Sequence, residues 1–149
     1  MFGLRRIIEM KNIFKTLLIL LISQNTYSNL YVWDVDRVID GDTVSFFVDF
    51  LPEPLPAHIS VRLYGIDAPE KNPRSRCDKE NQLAEKSTEF TKKLISKGDS
   101  IIVNLRSWDK YGGRVLGDIM IDDIMLSDAL VENGYAVKYD DKIKNSWCD

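Results

Sequence analysis

The sequence predicts an α+β fold, a small closed β-barrel of the OB type built from five strands with two or three helices. Three observations predict it. Five short segments are rich in the β-branched and aromatic residues that favour strands. The first three follow one another, and a long helical pattern separates the third from the fourth. A shorter helical pattern follows the fifth. Five short strands with a helix between the third and fourth suit an OB-type barrel, and 149 residues are enough for one domain with one core.

The first strand is expected over 31–39 and ends at Asp40-Gly41-Asp42, which carries turn chemistry. Thr43 to Asp49 is the second. The segment Leu51-Pro52-Glu53-Pro54-Leu55-Pro56 cannot pair as a central strand, because proline has no N–H to donate. Ile59 to Gly65 is the third strand. Its alternation sets Ile59, Val61 and Leu63 on one face and Ser60, Arg62 and Tyr64 on the other. Glu80 to Lys97 reads as a helix, with Leu83, Ser87, Phe90 and Leu94 at helical spacing, Asp78 as its cap and Gly98 as its stop. Ile101 to Arg106 and Arg114 to Ile121 are the last strands, joined by the turn Asp109-Lys110-Tyr111-Gly112-Gly113. Ile124 to Asn133 is a short helix stopped by Gly134.

Residues 1–28 read as a leader preceding a domain of residues 29–149. Lys11 and Lys15 precede the uninterrupted part of an apolar run, Leu17 to Ile22, which is far shorter than the roughly 20 residues that span a bilayer. Thr26 and Ser28 then supply small residues before a cut after Ser28. This is the layout of a secretory signal peptide, which predicts a secreted or periplasmic protein. An uncleaved membrane anchor and a core helix are the alternatives. Cys77 and Cys148 fit no metal-binding spacing. In an exported chain they pair as one disulfide, which would pin the C-terminal tail; otherwise they are two separate thiols.

Composition narrows the chemistry. His58 is the only histidine, which excludes His-based zinc sites and Ser-His-Asp triads. The formal charge is −3, and without residues 1–28 the balance is 16 basic against 22 acidic groups. Proteins that bind nucleic acid by bulk charge are basic, so any such contact here must be made by a few placed cations. The candidates are Lys71, Arg74, Arg76, Lys110 and Lys138.

Two stretches concentrate the remaining chemistry. Val61 to Glu70 delivers Arg62, Asp67 and Glu70 at the end of one strand, and Val38 to Val44 adds Asp40 and Asp42. Carboxylates without histidine or thiol partners suit a hard cation. A guanidinium meets phosphate oxygens bidentately, and a carboxylate among cations can act as a base. Taken singly, each has a plainer role: Asp40 and Asp42 as turn residues, Arg62 and Arg114 as partners of surface acids.

Together the residues resemble a known family. Ile39-Asp40-Gly41-Asp42-Thr43, Arg62-Leu63-Tyr64-Gly65-Ile66-Asp67-Ala68-Pro69-Glu70 and Asp109-Lys110-Tyr111-Gly112-Gly113-Arg114 are similar to the three signature blocks of the thermonuclease (micrococcal-type nuclease) family, in order. Leu130 to Ala136 also fits the family's last helix. The resemblance implies an OB-type barrel and a calcium-dependent endonuclease that cuts DNA and RNA to 3′-phosphate and 5′-hydroxyl ends. It implies that Asp42, Asp67 and the backbone carbonyl of Ala68 hold Ca2+, with Asp40 and Thr43 beside the metal. Arg62 and Arg114 would hold the scissile phosphate, Glu70 would position or deprotonate the attacking water, and Tyr111 would line the nucleotide pocket. A monomer acting preferentially on single strands is expected. The turn before Arg114 has one glycine more than some relatives, and the chain ends soon after Tyr139. A catalytically silent OB-type module that binds single-stranded nucleic acid or protein is the alternative.

Overall fold

The computed structural model describes residues 29–149 except 56, 141–143 and 145. The expected leader therefore lies outside the described residues. Among those described, no helix is long and apolar enough to cross a membrane.

The fold is α+β, as expected, with more and shorter strands than the pattern suggested. In chain order these are β1 (Leu30–Val32), β2 (Val35–Asp40), β3 (Thr43–Phe47), β4 (His58–Leu63) and β5 (Ile66–Asp67). Helix α1 (Asp78–Lys97) follows, then β6 (Ile101–Trp108), β7 (Val115–Ile121) and β8 (Ile124–Met125). Helix α2 (Leu126–Glu132) and β9 (Val137–Lys138) complete it. The single strand expected over 31–39 is two strands, broken at Trp33-Asp34. Trp33 turns inward against Phe46, and the Asp34 carbonyl accepts a hydrogen bond from the Phe47 N–H instead of continuing a straight ladder.

The main sheet runs in the order β1-β6-β7-β4-β3-β2, with β8 on β7. Its two edges, β1 and β2, are consecutive in the chain with only Trp33 and Asp34 between them. The sheet must therefore curl until its edges adjoin. Among the described residues no ladder joins them, so the sheet is curled but hydrogen bonding does not close it into a barrel. β4 and β7 pair in parallel, Arg62 opposite Leu116, while β3 and β4 pair antiparallel, Arg62 opposite Thr43. Arg62 is thus on a central strand, flanked on both sides.

The alternation in β4 and β7 holds. Val61 and Leu63 are buried, as are Val115, Gly117, Ile119 and Ile121. Val61, Leu63, Ile119 and Ile121 meet Val44, Phe46, Val103, Leu126 and Leu130 in one core. Fully burying each aliphatic side chain contributes about 1.5–3 kcal/mol.

Helix α1 starts earlier than expected, and its cap is Cys77 rather than Asp78: the Cys77 sulfur accepts from the Glu80 N–H, while Asp78 is already helical. Its buried face is largely polar, comprising Glu80, Ala84, Ser87, Thr88 and Thr91. The hydroxyls are satisfied by backbone carbonyls: Ser87 donates to Tyr135, Thr88 to Ala84 and Thr91 to Gly41. The helix thus clamps the Asp40-Gly41-Asp42 turn. Two residues of the expected second helix are instead the short strand β8, and Gly134 ends this region at φ +72°.

Candidate active site

The turn between β2 and β3 and the exit of β4 place their carboxylates together. Asp42 and Asp67 are each 2% exposed. The Asp42 carboxylate is fully engaged: Oδ1 accepts from Thr43 Oγ1 at 3.1 Å and from Arg62 Nη1 at 2.6 Å, and Oδ2 accepts from the Ala68 N–H at 2.9 Å. Arg62 Nη2 reaches Asp67 Oδ1 at 3.0 Å. One guanidinium therefore spans both acids. Asp40 braces the turn by accepting from the Asp42 N–H.

Charge is unevenly balanced here. Burial pushes the Asp42 carboxyl up to about 7; Arg62 opposes the shift without cancelling it, and Asp40 adds to it. Burial works against the Arg62 charge, but Asp42 and Asp67 outweigh it and raise its pKa.

Glu70 stands on the loop after β5, fixed from below by α1. The buried Glu80 accepts from the Glu70 N–H at 3.3 Å and from the Arg76 N–H at 2.6 Å. The Glu70 carboxylate meets Arg74 Nε at 3.0 Å through Oε2 and Lys144 Nζ at 3.2 Å through Oε1. Partial burial alone would raise its pKa, but Lys144, Arg74 and Arg62 hold it below the usual value. Lys144 Nζ also lies 2.9 Å from Asp67 Oδ1. Burial disfavours its charge, yet Asp67 and Glu70 raise its pKa.

Arg114 arrives from the other side, just before β7. The turn closes by a hydrogen bond from the Asp109 N–H to the Arg114 carbonyl, and Gly112 and Gly113 take φ +71° and +76°. Such left-handed angles favour glycine, so the additional glycine is absorbed within the turn. The Arg114 guanidinium folds back on the buried Asp109 carboxylate. Burial works to raise the Asp109 pKa, but Arg114 and the Tyr111 N–H bring it below the ordinary value.

Arg62, Glu70, Arg114, Lys110 and Tyr111 line one cleft of about 470 Å³. Asp40, Thr43 and Arg74 line an adjoining cavity, with Arg114 and Tyr111 common to both. Lys71 instead turns back to the Ile39 carbonyl at 3.4 Å. Cys77 and Cys148 form a disulfide with Cα atoms 6.0 Å apart. Sequence reasoning missed Tyr64, Trp108, Tyr139 and Lys144 in the cleft. Trp108, 72% exposed, adjoins the third block and was locally readable. Lys144 had no local signal; the cysteine pair was the one feature of its tail that the sequence offered, and β9 on β5 is the other anchor.

Among the described residues no three carboxylate, imidazole or thiol groups form a ready metal cluster. The donors that converge are the carboxylates of Asp42 and Asp67, joined through Arg62, and they supply oxygen, the ligand type of a hard cation; the Ala68 backbone meets Asp42 through its N–H. Two buried carboxylates that meet on one guanidinium are oxygen donors that a divalent cation would suit.

A search among curated proteins finds no match. The family described as staphylococcal nuclease homologue (SNase) matches residues 60–147, which is more than half of the chain and includes Arg62, Asp67, Glu70 and Arg114. With the two remaining carboxylates brought in by the β2–β3 turn, the chain belongs to the staphylococcal nuclease homologue family.

Proposed function

We propose that this protein is an exported, calcium-dependent endonuclease that hydrolyses DNA and RNA to 3′-phosphate and 5′-hydroxyl ends, preferring single strands. The observation that carries the reading is the cleft itself: Arg62, Glu70 and Arg114 line one cavity, with Asp42 and Asp67 buried behind Arg62.

In the hydrolysis, water adds to phosphorus and the bond to the 5′ oxygen breaks. Negative charge builds on the phosphoryl oxygens. Arg62 and Arg114 meet that charge with planar donor pairs. Asp42 and Asp67 orient Arg62, and Asp109 orients Arg114. Glu70 positions the water and accepts its proton, a role that requires its carboxylate to be freed from Lys144 or Arg74. Asp42, Asp67 and the Ala68 carbonyl would hold Ca2+, with Asp40 and Thr43 alongside. When bound, the cation supplies Lewis-acid stabilisation of the phosphoryl charge. Trp108 and Tyr111, both largely exposed at the rim, offer faces for unpaired bases. Lys110 and Arg74 add nearby positive charge.

The test is cleavage of single- and double-stranded DNA and RNA by the full chain, with calcium or with chelator. Calcium-dependent cleavage that prefers single strands, with Glu70→Gln and Arg114→Ala each slowed about 100-fold or more, is the expected result. Binding of single strands without turnover would instead identify a silent binding module. The engagement of both Glu70 oxygens by cations is the observation that favours that second reading.

A further inference from the structure

Lys144 sits where a cation is wanted. Its ammonium touches one oxygen of Asp67, the buried acid proposed for calcium, and one oxygen of Glu70, the acid proposed for water. Arg74 takes the other Glu70 oxygen. The chain thus neutralises these acids with its own side chains.

Anchors on both sides along the chain hold Lys144 there. Upstream, β9 pairs with β5 so that Val137 lies opposite Asp67, and the Tyr139 N–H donates to the Gly65 carbonyl. Downstream, Cys148 is bonded to Cys77 at the cap of α1, and Lys79 meets the carbonyl of Asp149. A group tethered in this way returns to its partner at an effective concentration on the order of millimolar.

We propose that Lys144 is a tethered competitor for the divalent-cation site, bridging Asp67 and Glu70 until a hard cation displaces it, and that the Cys77–Cys148 bond keeps it within reach. The inference rests on the calcium reading above. Asp67 Oδ1 already accepts from the nearly buried Arg62, and Lys144 is a second, more exposed cation on the same oxygen; a doubly charged ion brought to contact distance repels both, and Lys144 is the one with solvent to move into. Calcium binding must therefore move Lys144 away from both acids. The same movement frees an oxygen of Glu70 to face water, so cation binding and exposure of the base become one event. The tail in effect sets the calcium concentration at which the site fills.

The experiment is a calorimetric calcium titration of the full-length protein, with far-UV circular dichroism and a melting curve confirming that each variant is folded. Lys144→Met and Lys144→Gln should bind calcium about tenfold more tightly than the parent, a typical size for coupling between competing states. Lys144→Arg should stay near the parent affinity. Replacing both cysteines, Cys77→Ser with Cys148→Ser, should tighten binding in the same direction by a smaller factor; serine also caps helices well. Equal or weaker calcium binding by folded Lys144→Met and Lys144→Gln would overturn the competitor role and leave the calcium reading standing. Absence of calcium binding in both the parent and these variants would overturn the calcium reading, and this inference with it.

Discussion

Gly41 packs so closely on Ser87 that a Cβ at position 41 would lie 1.9 Å from the Ser87 hydroxyl oxygen and 2.8 Å from its Cβ. The turn that carries Asp40 and Asp42 is therefore seated directly on α1, with Thr91 donating to the Gly41 carbonyl at 2.7 Å. Gly41→Ala forces the helix and turn apart. The expected cost is about 2 kcal/mol, typical of overpacking a tight contact, read as a lowered urea midpoint. Activity should fall further than stability alone explains, because the displaced turn carries Asp42. An unchanged midpoint would show that the turn is free to move.

The Arg62 bridge makes a sharper energetic prediction. Arg62 and its two acids are nearly buried, with side chains 12% and 2% exposed. Removing the arginine takes the only cation from Asp42, which keeps Thr43 and the Ala68 N–H, and leaves Asp67 with Lys144 alone. Removing one acid leaves the arginine its other partner. Arg62→Met should therefore cost about 3–5 kcal/mol, the range for breaking a buried pair on one side, and Asp42→Asn should cost clearly less. Urea denaturation of the two variants checks the ordering, and an Asp42→Asn cost equal to that of Arg62→Met would contradict it.

Much of this arrangement was legible in the sequence, for a physical reason. Strand alternation is local, so the opposite facing of Arg62 and Leu63 follows from spacing alone. The turn residues Gly112 and Gly113 likewise announce their backbone angles. What spacing cannot encode is pairing between distant segments: the parallel match of β4 with β7, or the return of β9 to β5. The break at Trp33 escaped notice because both halves keep strand-like composition. The inner face of α1 is only partly legible, since the apolar spacing picks out Ser87 but not Thr88 and Thr91, whose burial depends on a carbonyl accepting each hydroxyl. Lys144 depends on two long closures, from Cys148 back to Cys77 and from β9 back to β5.

The Asp109–Arg114 pair should make stability fall in acid. The folded pKa of Asp109 is below its ordinary 3.8, because Arg114 outweighs the opposing effect of burial. A lowered carboxylate contributes stability that is complete above the unfolded value and disappears as pH drops through the folded one. Melting temperature should thus decline on acidification through and below pH 3.8, and Asp109→Asn should show a shallower decline over that window. A parallel pair of curves would mean that Asp109 contributes nothing to the acid limb.

Trp108 provides the test of single-strand preference. It stands 72% exposed, yet it walls both the cleft beside Arg114 and a neighbouring apolar cavity of about 740 Å³ that Tyr31, Phe50 and Leu55 also line. Exposure on this scale means that truncation should leave the fold within about 0.5 kcal/mol of the parent. Stacking of an unpaired base is worth about 1–3 kcal/mol, so Trp108→Ala should weaken single-strand binding by roughly 5- to 150-fold. Duplex binding should change much less, because bases stacked within a duplex cannot lie on the indole. Tyr111, 80% exposed and lining the same cleft, should behave alike. If the two side chains hold separate bases, their combined loss should add; if they clamp one base, the double variant should lose less than the sum. Fluorescence titration with a labelled single strand and its duplex separates these outcomes. Equal losses on both substrates would assign Trp108 to backbone contact and remove the stacking basis for strand preference.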